Sequence, residues 1–134
     1  MSRFVNNLMV DGKKSIAYRA FCDAMDIIEQ RTGENGVEVF EKALDNVMPM
    51  VEVRSRRVGG ATFQVPSEVR PGRRVSVGIK WVISYTRRRN EKSTKERLAA
   101  ELIAASRGEG GAVKKKEDTH RMAEANKAFS HFRF

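Results

Sequence analysis

Two adjacent glycines near the middle of the chain, Gly59 and Gly60, constrain the fold more than any other feature. They separate two short runs of β-forming residues in VEVRSRRVGGATFQVPSEVRPGRR, from Val51 to Arg74. A two-residue hairpin turn needs positive φ at its centre, which glycine adopts at little steric cost, so the stretch predicts an antiparallel ribbon. With Gly59 and Gly60 as the loop, Val58 faces Ala61 and Arg56 faces Phe63, an arginine against an aromatic on one surface. Val51 and Val53 lie on one side of the turn, Phe63 and Val65 on the other. Pro66 has no N–H to give to a ladder, so pairing is expected to end there, making an arm at about 51–66.

The side chains of this ribbon do not suit a buried face. Arg54, Arg56, Arg57, Arg70, Arg73 and Arg74 lie on it or just after it, and only Glu52 and Glu68 oppose them. Lys80 and Arg87, Arg88 and Arg89 extend the series, so nearly all of the net charge of +9 falls between Val51 and Asn90. A solvated helix face normally mixes signs, as Glu38, Glu41, Lys42 and Asp45 do. Unmixed arginine is unfavourable unless phosphates neutralise it. Guanidinium offers paired donors to phosphate oxygens and a flat face to unpaired bases, so the expected partner is folded RNA with exposed loops. The order of expectation is the ribbon arginines, then Arg87 to Arg89, then the lysine runs Lys13-Lys14 and Lys114-Lys115-Lys116.

The remainder reads as helix. Phe4, Val5, Leu8 and Met9 share one face of a short opening helix that Gly12 ends. From Ser15, a plausible N-cap by residue type, to Gln30, Ile16, Ala20, Ala24 and Ile27 run beside Ala17, Phe21 and Ile28 at helical spacing. A third helix turns Val37, Phe40, Ala43, Leu44 and Val47 inward and stops near Met48, ahead of Pro49. Pro71 to Arg89 is ambiguous: Val75, Val77, Ile79, Trp81 and Ile83 alternate like a strand, while Pro71 in a first turn favours helix. Ser93 with Glu96 has capping-box spacing ahead of Leu98, Leu102, Ile103 and Ala105, and Gly108 closes that helix. GEGG, Gly108 to Gly111, reads as a flexible joint before the lysine run and a last helix on Met122, Ala125, Phe129 and Phe132. At 134 residues the chain, 1–134, is expected to be one domain, burying roughly two-thirds of its unfolded surface.

The residues offer little for catalysis. His120 and His131 are the only histidines, and nothing in the sequence sets either beside paired carboxylates or the single cysteine, Cys22; surface or partly packed positions are the expected reading. GEGG lacks the Lys-Ser/Thr that completes a phosphate-binding loop. One cysteine makes neither an internal disulfide nor a cysteine metal framework. No apolar run approaches the roughly 18 residues of a membrane span, and the opening residues lack the apolar core of a signal peptide. The expectation is a soluble, cytoplasmic, non-enzymatic protein without cofactor, metal, membrane or small-molecule substrate. An architectural DNA-binding protein with a basic β-ribbon is the alternative of similar chemistry.

Taken with LMVDGKKS at Leu8 to Ser15, AVKKKEDTHRMAEANKAF at Ala112 to Phe129 and the closing His131-Phe132-Arg133-Phe134, the sequence VEVRSRRVGGATFQVP closely resembles the bacterial small-subunit ribosomal protein seven family. The resemblance runs in order through essentially the whole chain. It implies a mainly α fold, a bundle of about six helices with one protruding β-hairpin arm, and hence a helix from Pro71 to Arg89. It further implies a primary binder of small-subunit ribosomal RNA that organises the head, the 3′ major domain, during assembly. Exit-site tRNA and mRNA would lie nearby, and small-subunit protein eleven and other head proteins would be neighbours. Carried over by motif, Lys13, Lys14, Arg54, Arg56, Arg57 and Lys114 to Lys116 would contact ribosomal RNA, with Arg70, Arg73 and Arg74 in a more variable part. Val58, Gly59 and Gly60 would point toward the exit-site tRNA. Family members usually begin with a basic, extended segment ahead of the first helix; this sequence reaches its first helix almost at Phe4, so contacts from such a segment are not carried over.

Overall fold

A computed structural model describes residues 2–8 and 12–126. Within them six helices and one two-stranded ribbon follow in the order α1 (Ser2–Leu8), α2 (Lys14–Thr32), α3 (Gly36–Val47), β1 (Val51–Val58), β2 (Ala61–Glu68), α4 (Pro71–Arg87), α5 (Thr94–Ser106) and α6 (Gly111–Ala125). The expected mainly α bundle with one β-hairpin is the observed architecture. Met9, Phe129, His131 and Phe132 lie outside the described residues.

The core forms where small and aromatic side chains allow helices to approach closely. Phe4 of α1, Phe21 of α2 and Phe40 of α3 meet with ring centroids 5.1 to 5.6 Å apart, two of the three pairs edge-on, the arrangement that ring quadrupoles favour. Helix α5 packs against α2, α3, α4 and α6, and Leu98, Ala99, Leu102 and Ala105 are its fully buried apolar side chains. Two alanines among these four let neighbouring backbones close in. Its start is set by Ser93, whose Oγ accepts from Glu96 N at 3.3 Å, as the capping-box spacing predicts. Asn35 caps α3 by accepting from Val37 N and Glu38 N.

Several local expectations need correction. Helix α2 starts one residue before Ser15: Lys13 is the N-cap and makes no side-chain cap bond. Its buried stripe is Ala17, Phe21, Ala24, Met25 and Ile28, which leaves Ile16 exposed. The ribbon does not stop at Pro66, because the ladder runs from Val58↔Ala61 out to Val51↔Glu68 with Pro66 opposite Val53. Counting outward from the turn, that pair is a non-hydrogen-bonded one, so the missing N–H lies on the ribbon's open edge and costs nothing. The stretch from Pro71 is a helix with proline in its first turn and Gly78, Ile79, Val82 and Ile83 buried.

GEGG is no flexible joint. A Cβ on Gly111 would overlap the Tyr85 ring, and one on Gly110 would stand 3.2 Å from Glu101 Oε1. Helix α6 therefore begins hard against α4 and α5, and Lys114 to Lys116 lie within it rather than ahead of it. Its inward residues are Ala112, Val113 and Ala123, whereas Met122 and Ala125 are exposed.

Candidate nucleic-acid interface

The ribbon has a packed root and a bare tip. Gly59 and Gly60 have φ of 60° and 83°, the double positive φ that a twist-compatible two-residue turn requires. From Gly59 to Thr62 every residue is exposed, while Val65 and Val69 near the root are buried. Helix α6 packs against both strands, and Met50 N donates to His120 Nε2 at 3.0 Å, tying the chain entering β1 to α6. The partly packed histidine expected from sequence thus accepts a backbone bond at the base of the arm.

Acids gather at this root. Glu52 accepts from Arg73 Nε at 2.9 Å and Nη2 at 3.1 Å and lies 3.6 Å from Arg54. The Arg73 bond holds the Glu52 carboxyl below its ordinary range, against the upward push of its partial burial. Arg74 donates to Val69 O at 2.8 Å and approaches Glu68 at 3.6 Å. Arg73 and Arg74 therefore fix the ribbon to the start of α4. Pleating sends Arg54 to one face of the ribbon and Arg57 to the other; Arg57 is exposed with no ion pair among the described residues, and Arg70 is exposed at the N-cap of α4.

The charge that looks continuous in sequence is split in space. Arg70 to Arg74 stand at one end of α4 and Arg87 to Arg89 at the other, 17 helical residues away, a separation of about 25 Å at 1.5 Å per residue. At the far end, Arg87 and Arg88 are exposed, and Arg88 sits 5.0 Å from the centre of the Tyr85 ring, a cation–π distance. Arg89 turns inward instead, bonding Glu91 Oε1 and the 1%-exposed Glu101 Oε2, each at 2.9 Å. Burial pushes the Arg89 guanidinium down, but the two carboxylates outweigh it and hold it above its usual value.

Lys13 and Lys14 are exposed at the start of α2, and Lys114 and Lys115 are exposed on α6 while Lys116 is half-buried. Sequence reasoning passed over Arg97, which joins Lys13 and Arg87 around one cavity; its place inside a capped, otherwise ordinary helix gives no local signal. Among the described residues no group of three or more His, Cys, Asp or Glu is placed to hold a metal, and no helix is long and apolar enough to cross a membrane.

Fold and charge together define a class: a helical scaffold that carries a basic ribbon, packed at its root and bare at its tip. Comparison with known proteins narrows it. The family model described as Ribosomal protein S7p/S5e matches residues 1–127. The protein named small ribosomal subunit protein uS7 in Salinibacter ruber is 66% identical over 135 residues, covering 100% of this chain and 86% of its own length. Its counterparts in Cytophaga hutchinsonii and Gemmatimonas aurantiaca are 63% and 65% identical over the same shares. The chain belongs to this ribosomal protein family. It is a structural, non-enzymatic component of the small subunit of the cytoplasmic ribosome, and RNA binding and translation are general properties of the family.

Proposed function

We propose that the chain is a primary binder of small-subunit ribosomal RNA that organises the head, the 3′ major domain, during assembly, with the ribbon tip beside exit-site tRNA and mRNA. Small-subunit protein eleven and other head proteins are its protein neighbours in this reading. The carrying observation is the division of charge along the ribbon. Acids neutralise arginine at the root, where Glu52 holds Arg73, while the exposed Arg57 has no ion pair among the described residues. Root arginines position the arm and outer arginines are left for phosphate. Lys13, Lys14, Arg70, Arg87, Arg88 and the lysines of α6 supply further point contacts around the body. Arg73, Arg74 and Arg89 already hold protein partners, so they serve chiefly by placing the others.

Binding of this kind releases counterions, with a slope of log affinity against log salt of roughly −0.7 to −0.9 per phosphate. Joint replacement of Arg54, Arg56 and Arg57 by alanine should therefore weaken binding to a head-domain RNA fragment and make the slope shallower by roughly two to three. Unchanged affinity across the salt titration would overturn the reading.

A further inference from the structure

A cavity of about 180 Å³ opens where α1, α2, α4 and α5 converge. Ile16, Ala17 and Ala20 form an apolar wall, and Ile16 is 63% exposed beside it. Thr86, in the last turn of α4, lies at the floor and is 1% exposed; its Oγ1 is buried without a hydrogen-bond partner. An orphaned buried hydroxyl is destabilising until it gains a partner, and a helical threonine divides between two side-chain rotamers. The rim carries Lys13, Arg87 and Arg97, and no acid lines the cavity among the described residues. Arg97 uses Nε to donate to Glu91 O at 2.6 Å, and Arg87 Nη2 reaches Leu8 O at 3.4 Å; each keeps further donors. Arg87 is shared with an adjoining shallow concavity lined by Lys80 and Arg88, again without an acid.

A cationic track thus runs past a small apolar slot whose floor has an unused hydroxyl. The slot is smaller than the roughly 300 Å³ at which small-molecule sites begin, so it does not enclose a whole nucleotide. The pairing of apolar wall, hydroxyl and flanking cations matches one unstacked base whose neighbouring phosphates follow the rim. We propose that this cavity receives a single extruded nucleobase of the bound RNA, with Thr86 Oγ1 bonding the base edge and Lys13, Arg87 and Arg97 taking the adjacent phosphates. The inference rests on the RNA-binding function proposed above.

The test uses the full chain and a head-domain RNA fragment, with filter binding across a salt series and chemical probing of base edges by dimethyl sulfate and carbodiimide. Thr86→Val deletes the hydroxyl, and Ala20→Phe fills the slot without touching charge. Thr86→Val is expected to raise the melting temperature of the free protein by roughly 2–6 °C, because the orphan is removed. The same change is expected to weaken RNA binding roughly threefold to tenfold, the worth of one neutral hydrogen bond, with an unaltered salt slope. Ala20→Phe should cost at least about tenfold, because excluding the base forfeits its hydrogen bond and its apolar burial together, and restore reactivity to one or two bases that the unaltered chain protects.

Three results would overturn the proposal while leaving RNA binding in place. These are both variants binding and protecting like the unaltered chain, Thr86→Val losing stability together with affinity, or Ala20→Phe making the salt slope shallower. Failure of the unaltered chain to bind head-domain RNA would overturn the parent reading and this one together.

Discussion

At the residue scale, the same side-chain type does opposite work according to its neighbours. Arg87, Arg88 and Arg89 are consecutive, yet the first two are exposed and the third closes a network with Glu91 and Glu101. Glu101 also accepts from Ala112 N at 3.1 Å, so one buried carboxylate joins α5 to the start of α6. Removing Arg89 leaves that carboxylate without its charge partner, whereas Glu101→Gln keeps an acceptor for Ala112 and leaves Arg89 with Glu91. Arg89→Met should therefore cost roughly 3–5 kcal/mol and Glu101→Gln only about 1–2 kcal/mol, read from urea unfolding. Equal costs, or the reverse order, would show that the network does not hold Glu101 in place. Nothing in the sequence separated Arg89 from its neighbours, because the partner that claims it lies twelve residues on, on the buried side of another helix.

At the element scale, the ribbon was the most legible part of the chain and its attachment the least. Turn chemistry is local, so Gly59-Gly60 announced the register, and Arg56↔Phe63 and Val58↔Ala61 are the observed pairs. The end of the ladder depended on which edge Pro66 presents, a fact of pairing geometry rather than residue type. The ambiguity over α4 was likewise tertiary: Val75, Val77 and Ile79 suit a strand until Gly78 is set against α3, where an added Cβ would stand only 3.0 Å from the Met48 side chain and 3.2 Å from that of Leu44, so a helix packing there needs a residue without one. GEGG misled for the same reason, since glycine that permits close packing and glycine that permits motion look alike in a sequence.

The attachment also gives the ribbon a pH dependence. His120 must be neutral at Nε2 to accept from Met50 N, and desolvation, with Lys116 adding repulsion, holds its pKa below the ordinary 6.5. A base with a lowered folded-state pKa contributes its full stability above 6.5 and loses it as pH falls through the window below that value, because the unfolded chain binds the proton first. The unaltered chain should thus lose more stability between pH 7.5 and about pH 5 than His120→Gln, which keeps an acceptor that does not titrate. A difference between the two that does not change with pH would show that the Met50 bond is not coupled to protonation.

At the scale of the whole molecule, helix α4 is a spacer between two cationic ends, with α5 at the centre fixing the distance and α6 bracing the arm. Such a body reaches separate segments of one folded polyanion better than it follows a single duplex. The tip, Gly59-Gly60, carries no apolar wedge of the kind that architectural proteins insert between base steps to kink DNA. Direct competition decides the matter: one labelled fragment of the 3′ major domain, challenged by an equal length of another small-subunit RNA domain and by duplex DNA, at rising salt. The expected result is that only the unlabelled 3′ major domain displaces the label at moderate salt, with preference persisting as total affinity falls. Equal displacement by all three competitors would contradict the claim that this scaffold is built for ribosomal RNA of the head.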